Sequence, residues 1–389
     1  MTHIKNIKEY LEEIENLNPN NDLFFRGHSD KSYYLQPGIY RKDTDSKKSL
    51  IEYEDVIYRE VISRAPQNFI GKNTLESLAL MQHYGVPTRI LDLTESALVA
   101  LYFACSNNTE DGEVLIFDIP TKSVRYYNSD RVTILANLAK CEIDFHYSTF
   151  IIDGKINSIE SLEKRKIDTA LYYNLDRFNI DVFNFLMSEN RSIIEDFKDD
   201  FLSENFDVNL KKYKNKYQRK NNSIDDMIFT NSYIESIQNY IKGEINDEIT
   251  NCNEIYFGKL LHNIREDKSY FDAIINPIDI SEVLAIRPKL DNPRIVRQHG
   301  AFLIFGVKQT IIRGFGEDKS MADINSNWIL RGQPKAERII IDKNSKSKIK
   351  NELNTLGFNQ STLFPEIDKV AEYVRDKYND TIKHQNWIR

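Results

Sequence analysis

Residues 82–107, QHYGVPTRILDLTESALVALYFACSN, constrain the fold more than any other part of the chain. Just upstream, Leu75, Leu78, Met81 and Tyr84 recur at helical spacing, with Thr74 placed as the cap. Gly85 supplies a left-handed residue that ends this helix, and Pro87 prevents its continuation. Residues 88–93 then read as a short strand. Ile90 and Leu91 make both of its faces apolar, as in a strand covered on two sides. Thr94 or Ser96 caps a second helix, 97–105, which is apolar almost all round and therefore buried. His83, Thr88, Arg89, Asp92 and Thr94 concentrate polar chemistry inside that buried frame.

Around it the pattern alternates between strands and helices. Ile4, Ile7, Leu11 and Ile14 mark an amphipathic first helix capped by Thr2. Residues 23–26 are a short apolar strand ending in Arg26, with a turn over 27–32. Residues 49–69 carry helical periodicity, and GEVLIFD at 112–118 reads as a strand buried on both faces. Further strands are expected at 283–287, 302–306 and 336–341. A helix over 345–356 stops at Gly357. A last helix has Pro365 in its first turn and Ile367, Val370, Val374 and Tyr378 on its apolar face. Between these parts, residues 126–253 are rich in Asn, Asp, Lys, Tyr and Ile. Helices are expected there at 131–140, 178–201 and 232–245, with a mobile loop near 211–226 around the basic run KKYKNKYQRK. The expected architecture is α+β: a central mixed sheet with flanking helices. It is built from 1–125 and 254–389 and interrupted by a peripheral, mostly helical insertion at 126–253.

Composition narrows the function. A net charge of −7 and a pI near 5.7 disfavour general binding to phosphate backbones. Three scattered cysteines, Cys105, Cys141 and Cys252, give neither a disulfide framework nor zinc-ligand spacing, so a cytoplasmic protein without a metal is expected. No stretch approaches membrane-spanning length. There is no Gly-x-x-x-x-Gly-Lys loop, no Gly-x-Gly-x-x-Gly and no Gly-x-Ser-x-Gly elbow.

The chemistry that remains centres on arginine. Arg26 closes an apolar strand, where a guanidinium is costly unless paired. It is either a salt-bridge partner of Asp92 or another acid, or an anion clamp, since its planar five-donor fork suits phosphate or ribose hydroxyls. Gly27 beside it would let a phosphate approach the backbone. His83 ends a helix and serves either as a cap or core histidine or as a ligand-facing group. Arg89 and Asp92 lie on opposite faces of an ideal strand, and one of them is free to pair internally with Arg26 or Arg294. Gln298 precedes an apolar strand. Its amide either holds two loops together or faces a ligand.

These residues also carry a resemblance. Phe25-Arg26-Gly27, the block His83-x-Gly85-x-Pro87-Thr88-Arg89-x-x-Asp92-x-Thr94, and Ala100-Leu101-Tyr102-Phe103-Ala104 are similar to motifs of the FRG domain family. So are Asn292-x-Arg294-x-x-x-Gln298-x-Gly300-x-Phe302 and Leu363-Phe364-Pro365, in the family's order, over residues 24 to about 378. A more distant resemblance is to the ADP-ribosyltransferase fold, including DNA-modifying toxins. There an early-strand Arg or His and a strand–helix block precede a catalytic Glu that opens a late strand. Here Gln298 stands where that Glu would be, leaving Glu95 or Glu113 as substitutes.

Together the two resemblances imply an ADP-ribosyltransferase-like pocket for NAD or another nucleotide. In it Arg26, His83 and Gln298 take catalytic places, and Gly27, Tyr84, Thr88, Arg89, Thr94, Arg294 and Gly300 bind the ligand. They further imply a bacterial effector that acts as a toxin or in anti-phage defence. The competing class is a non-catalytic module that recognises a nucleic acid or a phage or host protein; a nuclease comes third. The residues named should meet around one concavity.

Overall fold

The computed structural model describes residues 2–43, 45–147, 239, 242–243, 245–308, 319–335 and 337–385. The chain forms two compact units, Met1–His146 with Phe257–Arg389, and Tyr147–Tyr256. The insertion was expected to begin at 126. Residues 126–146 instead belong to the first unit, which also takes the helix Asp130–Asn137. The helix expected at 178–201, the basic loop and most of the helix at 232–245 lie outside the described residues.

The first unit is α+β, built on a mixed, open sheet in the order β1-β9-β4-β2-β3-β7-β6-β5. The strands are β1 (Thr2–Ile4), β2 (Asp22–His28), β3 (Ile90–Thr94), β4 (Gly112–Ile119), β5 (Val124–Tyr126), β6 (Val283–Arg287), β7 (Gly300–Phe305), β8 (Ile329–Arg331) and β9 (Ile339–Ile341). β8 pairs β4 off the main path. The β1/β9 and β5/β6 pairs are parallel and the others antiparallel.

The sheet separates two cores, and strand alternation explains which residue goes where. Phe25, Val114 and Ile116 face one core, with Val99 and Leu101 of the apolar helix. Their neighbours Phe24, Leu115 and Phe117 face the other, with Leu91, Leu93 and Trp328. All eight residues of β4 are buried, as its unbroken apolar run requires.

Helices among the described residues include α1 (Ile7–Glu15), α2 (Glu54–Arg64), α3 (Thr74–His83), α4 (Ala97–Ala104), α5 (Asp130–Asn137), α6 (Gly258–Asp267), α7 (Pro293–Arg297), α8 (Lys346–Thr355) and α9 (Ile367–Gln385). Asn73, not Thr74, caps α3, through a reciprocal capping box with Glu76. Asn6, not Thr2, caps α1. Gly85 ends α3 at φ +83 as expected, and Ser96 caps α4. The short α7 was not foreseen, although Asn292 as cap and Pro293 in the first turn are its ordinary signals. Gln298 follows it, and His299 at φ +46 turns the chain into β7.

Candidate functional site

β2 does not stop at Arg26. It continues through His28, held by β4 in register from Asp22↔Ile119 to His28↔Glu113. On its other side β2 meets β3 at a single pair, Phe25↔Thr94, after which the two strands part. A cavity of about 200 Å³ opens at this split. Its floor comes from β2, β3 and β7. Its walls come from the end of α3, from α7 and from Phe103 of α4.

Most of the expected site residues gather here. Arg26, Gly27 and Thr94 line the cavity from the strands, His83 from α3, and Arg294, Gln298 and Gly300 from the segment leading into β7. A larger lobe of about 410 Å³ adjoins it and includes Tyr84, which is 74% exposed. The sequence blocks thus converge across more than two hundred residues.

Arg26 is held without a carboxylate partner. Its Nη1 donates to the Asp92 carbonyl at 2.5 Å, using an acceptor beyond the point where the β2–β3 ladder ends. Its Nε donates to His28 Nε2 at 3.0 Å. Asp92 itself is exposed and lines the same cavity. Burial in the cleft pulls the guanidinium down to about 10, with Asp92 opposing and Arg41 adding to the fall. His28 is pushed down to about 3, first by burial and then by Arg26, Arg41 and Arg338. It is therefore neutral. With Nε2 accepting from Arg26, the proton sits on Nδ1, a buried atom with no hydrogen-bond partner. His28 escaped the sequence reading, yet its i+2 spacing from Arg26 puts the two on one strand face.

His83 donates from Nε2 to Glu366 Oε1 at 3.0 Å. Burial and then Arg294 hold its pKa below the usual value against the pull of Glu366, so the contact is a neutral hydrogen bond at neutral pH. Glu366 was not singled out from the sequence, although it follows Pro365 at the entry to α9. The Arg294 guanidinium lies over the Phe364 ring, 4.6 Å from its centroid. Gln298 gives its side-chain Nε2 to the Leu363 carbonyl at 3.1 Å, and its backbone carbonyl accepts from Thr94 Oγ1 at 2.7 Å. It joins two loops, the plainer of its two expected roles.

Three expectations need correction. Arg89 is fully buried away from the cavity. It grips Glu54 in a bidentate ion pair and donates to the Phe305 carbonyl at 2.9 Å. Lys319 joins Glu54 at 2.7 Å. Burial alone would raise the Glu54 carboxyl, but the two cations together hold it below its ordinary range. Thr88 is likewise buried, and its hydroxyl bonds to Gln82 Oε1. Gly27 lines the cavity, but its missing Cβ serves helix packing. A Cβ there would sit 2.0 Å from the Ala100 carbonyl oxygen and 2.6 Å from the Ala104 nitrogen. The two acids held in reserve for Gln298 are engaged elsewhere, Glu95 with Arg287 at 2.8 Å and Glu113 with Arg338 at 2.7 Å. Neither lines the cavity.

Among the described residues no cluster of His, Cys, Asp and Glu could hold a metal ion, and no helix is long and apolar enough to cross a membrane. No curated protein and no solved structure matches the chain. A family model does match, over residues 21–113, the stretch that contains β2, α3, β3 and α4. The later blocks around Arg294 and Phe364 lie beyond this match but build the opposite wall of the cleft. The strand that carries Arg26 and the segment that carries His83 and Thr94 are therefore parts of an FRG domain, which the chain contains at residues 21–113.

Proposed function

We propose that the cleft binds a nucleotide by its phosphates, with NAD as the first candidate. One observation carries this reading. Two arginines, Arg26 and Arg294, line a cavity of about 200 Å³, and neither has a carboxylate within 4 Å among the described residues. In a chain of net charge −7, two guanidinium groups without an ion-pair partner, against the single cavity carboxylate of Asp92, leave this half-buried concavity net positive and suited to an anion. The aromatic wall of Phe103 and Phe302 adds a surface for the rest of such a ligand.

The resemblance to ADP-ribosyltransferases supplies the larger proposal: an NAD-consuming effector, used in bacterial toxicity or phage defence, with a transferase-like fold. Gln298 is committed to Leu363 and carries no charge, so it does not fill the acidic role. Asp92, exposed on the cavity wall, takes that place in this reading, stabilising positive charge on a sugar as its bond to the base breaks.

Calorimetric titration with NAD and ADP tests the proposal. A charge-assisted hydrogen bond is worth about 1.5–3 kcal/mol, so Arg26→Ala should weaken binding roughly tenfold to a hundredfold. Arg26→Lys should recover little, because the forked geometry is lost. Asp92→Asn should keep ADP binding and lose release of nicotinamide. A folded Arg26→Ala protein with unchanged affinity would refute the phosphate reading.

A further inference from the structure

The lobe beside the Arg26 cavity has a chemistry that phosphate binding leaves unused. It encloses about 410 Å³ against about 200 Å³ for its neighbour. The two share Ala79, His83, Asn292, Ile295 and Phe302, so they form one continuous cleft. The larger lobe has an apolar base in Leu75 and Leu80, and flat sides in Pro288, Pro293, Pro365 and Tyr84. Lys289, paired with Asp291 at 3.4 Å, places a donor and acceptors at its rim. Flat apolar walls with polar groups at the edge suit a heterocyclic ring: its faces are apolar and its rim hydrogen-bonds.

The junction between the lobes has its own character. His83 spends Nε2 on Glu366, and among the described residues no hydrogen bond holds Nδ1. Asn292 spends its side-chain carbonyl on the Arg294 backbone N–H at 2.8 Å, leaving its amide N–H groups uncommitted. Glu366 Oε2 is buried without a partner. One acceptor, His83 Nδ1, and one donor, the Asn292 amide, stand where the cleft passes from guanidinium groups to apolar walls. A sugar diol offers both donors and acceptors to such a set.

The geometry points to one extended ligand, a nucleoside 5′-diphosphate or a dinucleotide containing one. The phosphates lie at Arg26 and Arg294, the ribose at His83 and Asn292, and the base in the larger lobe. This assignment rests on the phosphate reading above and adds where the sugar and base bind.

The test is calorimetry on the full chain with inorganic pyrophosphate, adenosine and ADP. ADP should bind more than tenfold tighter than pyrophosphate. Leu80→Trp, which fills the larger lobe, and Tyr84→Ala, which removes an exposed wall, should each weaken ADP about tenfold and leave pyrophosphate unchanged. Circular-dichroism melts that match the parent exclude misfolding, and Tyr84→Ala alone suffices if Leu80→Trp does not fold. ADP binding no tighter than pyrophosphate, or both folded variants binding ADP as the parent does, would overturn the base assignment. Adenosine binding while pyrophosphate stays silent would uphold the base lobe and remove the phosphate reading. Silence from all three would remove both.

Discussion

Arg26 Nε donates to His28 Nε2 at 3.0 Å, so the histidine two residues along the strand sets the direction of the cavity's guanidinium. A neutral imidazole is a suitable acceptor here because it orients the arginine without cancelling its charge. His28→Phe should weaken ADP binding about fivefold, the cost of losing one orienting hydrogen bond. His28→Gln can still present a carbonyl oxygen and should keep most of the affinity. Equal titration curves for the parent and His28→Phe would show that Arg26 is held by Asp92 alone.

The same histidine makes acid stability predictable. Unfolded, its value is near 6.5; folded, it is about 3. Between these values the unfolded chain takes up a proton that the folded chain refuses. Stability is therefore complete above about pH 6.5 and falls as pH drops toward 3, by up to about 1.4 kcal/mol per pH unit for this group. His83, also lowered, acts in the same direction. Urea melts between pH 7 and pH 4 should show a steeper loss in the parent than in His28→Phe. Parallel slopes would contradict the assignment of a buried, neutral His28.

Arg89 should behave as a core residue. Removing it leaves Glu54 buried with only Lys319 beside it, and breaking a buried pair from one side typically costs about 3–5 kcal/mol. Arg89→Ala should lower the unfolding midpoint accordingly. At temperatures where it remains folded, its affinity for ADP should match the parent's. A well-folded Arg89→Ala protein that has lost ADP binding would return Arg89 to the site.

Gly27→Ala tests the other reassignment. The added methyl would meet the backbone of α4 at 2.0 and 2.6 Å, and neither a carbonyl nor an amide of a packed helix can step aside cheaply. Loss of more than about 3 kcal/mol, or failure to accumulate folded protein, is the expected result. A stable Gly27→Ala protein impaired only in ligand binding would favour the phosphate-approach role first read from the sequence.

The sequence was most informative where local rules decide structure. β4 was plain from its unbroken apolar run, α4 from its all-round apolarity, and the end of α3 from Gly85. Arg89 was misplaced because its partners, Glu54 and Lys319, lie 35 residues before it and 230 after it. No spacing rule connects them. Arg26 seemed to end a strand because Gly27 usually marks a turn. Pairing with β4 and close packing on α4 instead carry the strand two residues further. The carboxylate beside His83 was hidden for a similar reason: Glu366 follows a proline at a helix entry, where acids are common whatever their role.

The pairing of β3 with β7 has a consequence for synthesis. Thr94 lies opposite Gly300, and Ile90 opposite Ile304, so β3 waits for a neighbour made some two hundred residues later. A ribosome adds roughly 5–20 residues per second, which leaves that edge of β3 open for about ten to forty seconds. Arg294, Gln298 and the β7 floor arrive only at the end of that interval. Truncated or stalled chains that stop between residues 113 and 300 therefore carry the whole FRG-matched stretch and yet have no complete cleft.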